Sequence, residues 1–149
     1  QDAKEPPTTE ETKLEEDTGP HLPDMYLHAL DSDAVFSVTS CPKRKCLTVY
    51  MAPWCPHCRN ATQTIIALRQ SLADHGVETR IIVGKCDPQE AEDYARSFGA
   101  GTLLDPAGDF KPRGVPHFYV SQDGGKILED VAGMPPGGLD ALAARLGLP

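Results

Sequence analysis

Apolar positions change period several times along the chain, and each change marks an element. Leu47-Thr-Val-Tyr-Met-Ala52 is a continuous apolar and β-branched run of strand length, the pattern of a strand buried on both faces. Directly after it, Ala61, Ile65, Leu68 and Leu72 recur at spacings of four, three and four, one face of a helix ending at His75-Gly76. Val77 to Val83 supplies a second strand rich in Val, Thr and Ile. Asp87 then stands as an N-cap, with Pro88 at the first helical position and Glu90 reaching back, for a helix that runs to Phe98 and stops at Gly99. Strand, helix, strand, helix is the alternation of an α/β sheet.

Either side of this centre the pattern is weaker. A short helix is predicted over Asp24 to Leu30 and a strand over Ala34 to Val38. Gly99 to Gly114 carries four Gly and two Pro in sixteen residues and is predicted to be mostly loop, with a type I turn at Asp105-Pro-Ala-Gly108. Pro116 to Val120 and Lys126 to Val131 form two strands joined across Gln122-Asp-Gly-Gly125, a hairpin signal. Leu139, Leu142, Ala143 and Leu146 mark a terminal amphipathic helix. Residues 1–20 have only Ala3 and Leu14 as aliphatic side chains, too little apolar surface to offset the entropy of ordering. They are read as a disordered acidic tether, followed by one domain over residues 21–149.

Charge sharpens that division. The net charge is -8, and seven acids against Lys4 and Lys13 place -5 of it in the first twenty residues. A nearly balanced domain behind an acidic tail is not a basic nucleic-acid binder. No window approaches the 18 to 20 apolar residues of a spanning helix, and the chain opens at Gln1, so any signal or membrane anchor is expected to be cleaved or to precede this sequence. Five cysteines are too few for a disulfide scaffold in 149 residues, and their odd number leaves one sulfur over.

Two of them sit where chemistry is expected. Trp54-Cys-Pro-His-Cys58 lies where the central strand gives way to its helix, placing Cys55 at the helix N-terminus and Cys58 one turn inside. Unpaired backbone N–H groups and the helix dipole favour an anion at that point, and so the thiolate of Cys55. Two thiols at this spacing can close a disulfide, one attacking and one resolving. A static disulfide or half of a zinc site is the bland reading, but a two-residue bridge at a helix start is exposed and exchangeable rather than stabilising.

Strand, Trp-Cys-x-x-Cys, helix, then Val-Pro before a hairpin and a last helix resembles the thioredoxin superfamily over roughly residues 34–149. The resemblance implies a central mixed β-sheet flanked by helices and a protein thiol–disulfide oxidoreductase that needs no cofactor. Pro-His between the two cysteines is the dipeptide typical of the DsbA family of extracytoplasmic thiol oxidants. Carried over, Cys55 is the nucleophile and Cys58 the resolving thiol, with His57 and Pro56 as the tuning dipeptide. Trp54 and the Val115-Pro116 cis-proline element then face substrate. Only 57 residues separate Cys58 from Pro116, which leaves no room for the helical insertion of DsbA proteins and resembles the compact, membrane-tethered TlpA-like group. Leu104-Asp-Pro-Ala-Gly108 and Ser121-Gln-Asp-Gly-Gly-Lys126 are similar to that group as well, many of whose members are reductases. The implied partners are protein thiols or disulfides and a soluble or membrane redox protein, and the implied location is the periplasm or another extracytoplasmic space. Thioredoxins usually hold a buried Asp six residues before the first cysteine; here that position is Val49, so Cys58 must lose its proton to water or to another residue.

Cys41 and Cys46 flank Pro42-Lys-Arg-Lys45 and are read as a local structural disulfide, with a second redox pair relaying electrons to Cys55 and free buried thiols as the alternatives. Cys86 is the odd sulfur, a buried inert thiol or else a site of mixed-disulfide regulation or dimerisation. His117 follows Pro116 and is either a proton shuttle for Cys58 or a strand residue pointing elsewhere, while His21, His28 and His75 belong to the surface. A copper- or zinc-binding module built from Cys55, Cys58 and His57, or from Cys41, Cys46, Cys55 and Cys58, is the competing function class, although the irregular four-cysteine spacing is a poor zinc pattern.

Overall fold

Every side chain of β3 (Lys45–Met51) except Lys45 is buried, as expected for a strand with a packed layer on each side. In the computed structural model, which describes residues 19–148, β3 is an inner strand of a seven-stranded sheet. The described elements run β1 (Tyr26–Ala29), β2 (Val35–Ser37), β3, α1 (Pro56–Ala73), β4 (Val77–Gly84), α2 (Pro88–Phe98), β5 (Leu103–Asp105), β6 (His117–Ser121), β7 (Ile127–Ala132) and α3 (Gly138–Arg145). Their order across the sheet is β2-β1-β5-β4-β3-β6-β7, with β3, β4 and β5 parallel and the remaining pairs antiparallel. This is a thioredoxin fold, a mixed sheet flanked by three helices.

Topology decides which face the helices take. The chain steps from β3 to β4 to β5 in one direction, and right-handed crossovers then put α1 and α2 on the same side. Leu47, Val49 and Met51 of β3, with Val77 and Ile81 of β4 and Phe118 and Val120 of β6, pack there against Ile65 and Leu72 of α1, Tyr94 and Phe98 of α2, and Leu139 and Leu142 of α3. The opposite face carries Tyr50, Ile82, Leu103 and Tyr119, covered by Leu22, Leu27 and Val38 from the N-terminal segment and by Phe110 from the loop after β5.

One expectation is corrected and a second is refined. Asp24 to Leu30 is no helix: Tyr26–Ala29 is a strand whose exposed and buried residues alternate, with Leu27 and Ala29 inward. A period of two over four residues is too short to stand out in sequence, and pairing with both β2 and β5 stabilises it. The stretch from Gly99 to Gly114 likewise holds a strand, since Leu103–Asp105 pairs parallel with Ile82, Val83 and Gly84 of β4. Asp87 caps α2 by accepting the Gln89 N–H at 3.1 Å, and Gly99 ends it with φ of 97°. The first eighteen residues of the expected tether lie outside the described ones. Pro20 already belongs to the fold, its carbonyl accepting the Ile127 N–H at 3.0 Å. No described helix is long and apolar enough to cross a membrane.

Candidate active site

Cys55 closes the turn between β3 and α1 as the helix N-cap. Its extended backbone (φ -91°, ψ 118°) turns its Sγ toward the open first turn of α1, where the Cys58 N–H donates to it at 3.3 Å. Pro56 follows, a residue whose missing N–H costs nothing at the start of a helix. No acidic side chain sits in this first turn, so the field of the helix terminus falls on the sulfur alone.

The two cysteines differ in setting. Cys55 is 4% exposed and Cys58 is sealed at 0%. Burial pushes the Cys58 thiol up to about 12, and the neighbouring Cys55 adds to the rise. Val49 is fully buried in the core on the Cys58 side of the sheet. One turn on, the Thr62 hydroxyl donates to the Cys58 carbonyl at 2.9 Å and pairs with the Tyr94 hydroxyl at 2.8 Å. Arg59 lies over the Tyr94 ring at 5.3 Å and donates from Nε to the Pro53 carbonyl. Thr62, Arg59 and Tyr94 carry no motif, so sequence reasoning passes over this bracing of the cysteine turn against α2.

Across from the cysteines stands the loop that enters β6. The Val115–Pro116 peptide bond is cis, and the Val115 carbonyl accepts the Cys55 thiol at 3.5 Å. Trp54, 58% exposed, is held by its indole N–H to the Lys85 carbonyl at 2.8 Å, leaving the ring open beside Cys55. His57 is exposed, and its imidazole makes no hydrogen bond among the described residues. It lines an open groove with Asn60, Thr64, Leu139 and the exposed Met134, a residue that no sequence pattern singled out. Cys55, Cys58, Val115 and Trp54 are therefore brought together, with His57 at the rim and Met134 across the groove.

His117 does not join them. β6 alternates, so Phe118 and Val120 face the helices while His117 and Tyr119 face the opposite layer, and a proton path to Cys58 on the helix side is closed. The imidazole, almost fully buried, donates from Nε2 to Asp130 at 2.5 Å and accepts the Arg113 N–H at Nδ1 over 3.1 Å.

Cys41 and Cys46 are disulfide-bonded and buried, at the end of β3 away from Cys55. Six strand steps of about 3.3 Å separate the two ends, which rules out electron relay and a four-cysteine metal site. Among the described residues no three of His, Cys, Asp and Glu are grouped to hold a metal ion. Cys86 is half-buried against the core rather than sealed in it. Burial, with Glu90 and Asp87 behind it, pushes its thiol up to about 11.

No curated protein matches the chain. Solved structures do. MTB DsbF, in mixed oxidized and reduced forms, superposes with a TM-score of 0.67 at 20% identity over 87% of this chain and 97% of that one. The pneumococcal exposed lipoprotein thioredoxin Etrx1 from Streptococcus pneumoniae gives 0.63 at 17% identity over 83% and 98%. A secreted Mycobacterium tuberculosis disulfide oxidoreductase homologous to E. coli DsbE gives 0.60 at 17% over 83% and 94%. At such identities the likeness is one of fold. The family described as Thioredoxin matches residues 29–145, and with most of the sequence matched in this way the chain belongs to the thioredoxin family.

Proposed function

We propose that this chain is a protein thiol–disulfide oxidoreductase that works through Cys55 and Cys58, chiefly as an oxidant of extracytoplasmic proteins. The observation carrying the reading is the capping of α1 by the Cys55 sulfur, which couples the stability of a thiolate to the helix terminus. Whatever stabilises the reduced form makes the disulfide a stronger oxidant.

In the oxidising direction a substrate thiolate attacks Sγ of Cys55 in the Cys55–Cys58 disulfide. The enzyme S–S bond breaks as the mixed disulfide forms, and Cys58 leaves as a thiolate that takes up a proton from solvent. A second substrate thiolate attacks the substrate sulfur of the mixed disulfide, and Cys55 leaves as a thiolate. The substrate gains a disulfide and the enzyme cysteines keep the two electrons. Val115 and Pro116 on one side and Trp54 on the other receive the substrate segment, and His57 tunes Cys55 from the rim. A redox partner reoxidises the pair.

An extracytoplasmic location is supported by the closed Cys41–Cys46 disulfide and by structural neighbours described as secreted or as an exposed lipoprotein. Reduction of extracytoplasmic disulfides is the second reading, favoured by the compact insertion-free path from α1 to Pro116 with its short β5. Titrating Cys55–Cys58 against glutathione decides the direction. A potential near about -120 mV supports the oxidant, and one near about -270 mV replaces it with the reductase.

A further inference from the structure

The loop from Asp105 to Pro116 carries Val115 to the cysteines, and on the far face of the sheet three anchors hold it. At its start Asp105, 3% exposed, accepts the N–H groups of Asp109 at 3.0 Å and Phe110 at 2.9 Å. In its middle Phe110 packs on Tyr50 and Tyr119, with ring centroids 5.5 and 5.4 Å apart. At its end the His117 ring, stacked on Tyr119 at 4.0 Å, takes the Arg113 N–H at Nδ1.

The last anchor is doubled. Asp130 Oδ1 receives the His117 Nε2–H at 2.5 Å and the Arg113 guanidinium at 2.6 Å. Arg113 is thus held by its main chain through His117 and by its side chain through Asp130. The Tyr119 hydroxyl also points at Nδ1, from 3.0 Å. Two donors converging on Nδ1 and a carboxylate at Nε2 select one form of the ring, neutral with its proton on Nε2. Burial, outweighing the Asp130 contact, holds this imidazole below the ordinary histidine range.

We infer that His117 is the positioning residue of the substrate-facing loop: by accepting the Arg113 N–H it closes residues 113–117 and sets the Val115 carbonyl opposite Cys55 Sγ. This rests on the proposed exchange at Cys55. A substrate that docks its backbone along Val115 feels the latch, whereas a small dithiol that touches only the sulfurs does not.

Three variants separate the contacts of the ring. His117→Asn keeps an acceptor near Nδ1, His117→Gln keeps a donor reaching toward Asp130, and His117→Ala keeps neither. Each oxidised protein is reduced by a two-cysteine peptide and, separately, by dithiothreitol. The expected result is a fall of about tenfold in the second-order rate constant for the peptide in the Ala and Gln variants, carried by a higher half-saturating peptide concentration, the worth of one hydrogen bond. The dithiothreitol rate stays within about twofold of the parent on the same reasoning, and Asn restores the peptide rate. Any other ranking overturns the inference, including rescue by Gln alone or equal losses with both reductants.

Should the variants fail to fold, nitrogen NMR of the unaltered protein still decides. An unprotonated, hydrogen-bonded Nδ1 with a protected Arg113 amide supports the latch, and a proton on Nδ1 refutes it. If the unaltered protein does not exchange with dithiothreitol through Cys55, the proposed function fails. If it exchanges and the ranking fails, only the latch does.

Discussion

The backbone N–H of Cys58 donates to Sγ of Cys55 across 3.3 Å, so a sulfur stands where most helices place a hydroxyl or a carboxylate. The geometry gives the two thiols unequal parts. Cys55 faces the Val115 carbonyl at the mouth of the site, and Cys58 lies beneath it without exposed surface. An incoming sulfur therefore meets Cys55 first. Cys55→Ser should abolish exchange, and Cys58→Ser should accumulate a mixed disulfide when its Cys55 thiolate attacks a disulfide-linked peptide and expels one peptide thiolate, seen as a mass increase under non-reducing conditions. A Cys58→Ser protein that captures no peptide would reverse the assignment of attacker and resolver.

Burial of Cys58 ties the stability of the reduced state to pH. Its thiol titrates near 9.0 when unfolded and is pushed up to about 12 in the fold. The fold prefers the protonated form, so this contribution is complete below pH 9 and is lost as pH rises toward 12. The slope is at most about 1.4 kcal/mol per pH unit. Reduced protein should lose more stability between pH 8 and pH 10 than reduced Cys58→Ala, measured by urea unfolding. Tyr50 and Tyr119, whose phenols burial also raises, titrate in both proteins and cancel in the comparison. Equal losses would show that Cys58 keeps its ordinary titration.

Legibility followed the strength of local signals. The α1 face, the Asp87 cap, the Gly99 stop and the β6–β7 hairpin all rest on contacts within a few residues, and each appears where the pattern puts it. Leu103–Asp105 and Tyr26–Ala29 were hidden because three or four residues become strands only through partners far along the chain. The same split runs through the site. Cys55 and Cys58 announce themselves by spacing, whereas Tyr94 and Met134 reach it through tertiary packing.

The disulfide at the other end of β3 should be separable from catalysis. Cys41 and Cys46 are five residues apart, and Cys41 N–H is bound to the Asp123 side chain at 2.9 Å, far from the cysteine turn. Closing so short a loop contributes about 2 kcal/mol in the chain-entropy account. Replacing both residues by Ala should therefore lower the unfolding free energy by about that amount and leave peptide exchange at Cys55 unchanged. Loss of exchange in a folded double variant would contradict the separation of the two pairs along the strand.

Gly84 ends β4 where nothing larger fits. A Cβ built there would lie 2.1 Å from the Asp105 carbonyl oxygen and 2.1 Å from the Tyr50 hydroxyl. That hydroxyl is a buried hub, donating to Asp105 Oδ2 at 2.7 Å and contacting the Asp105 carbonyl at 3.1 Å. Gly84→Ala must push the β5 backbone or the Tyr50 ring aside, and overpacking of this kind costs about 3 kcal/mol. Tyr50→Phe removes a donor from a buried carboxyl group and costs about 1–3 kcal/mol. The two changes share an atom, because the hydroxyl that Phe lacks is one of the two groups in the way of the new methyl. Their combination should cost less than the sum by about 1 kcal/mol, with the carbonyl clash still present. Chemical unfolding of the four proteins measures the coupling, and strict additivity would mean that the new methyl is relieved by moving Asp105 alone.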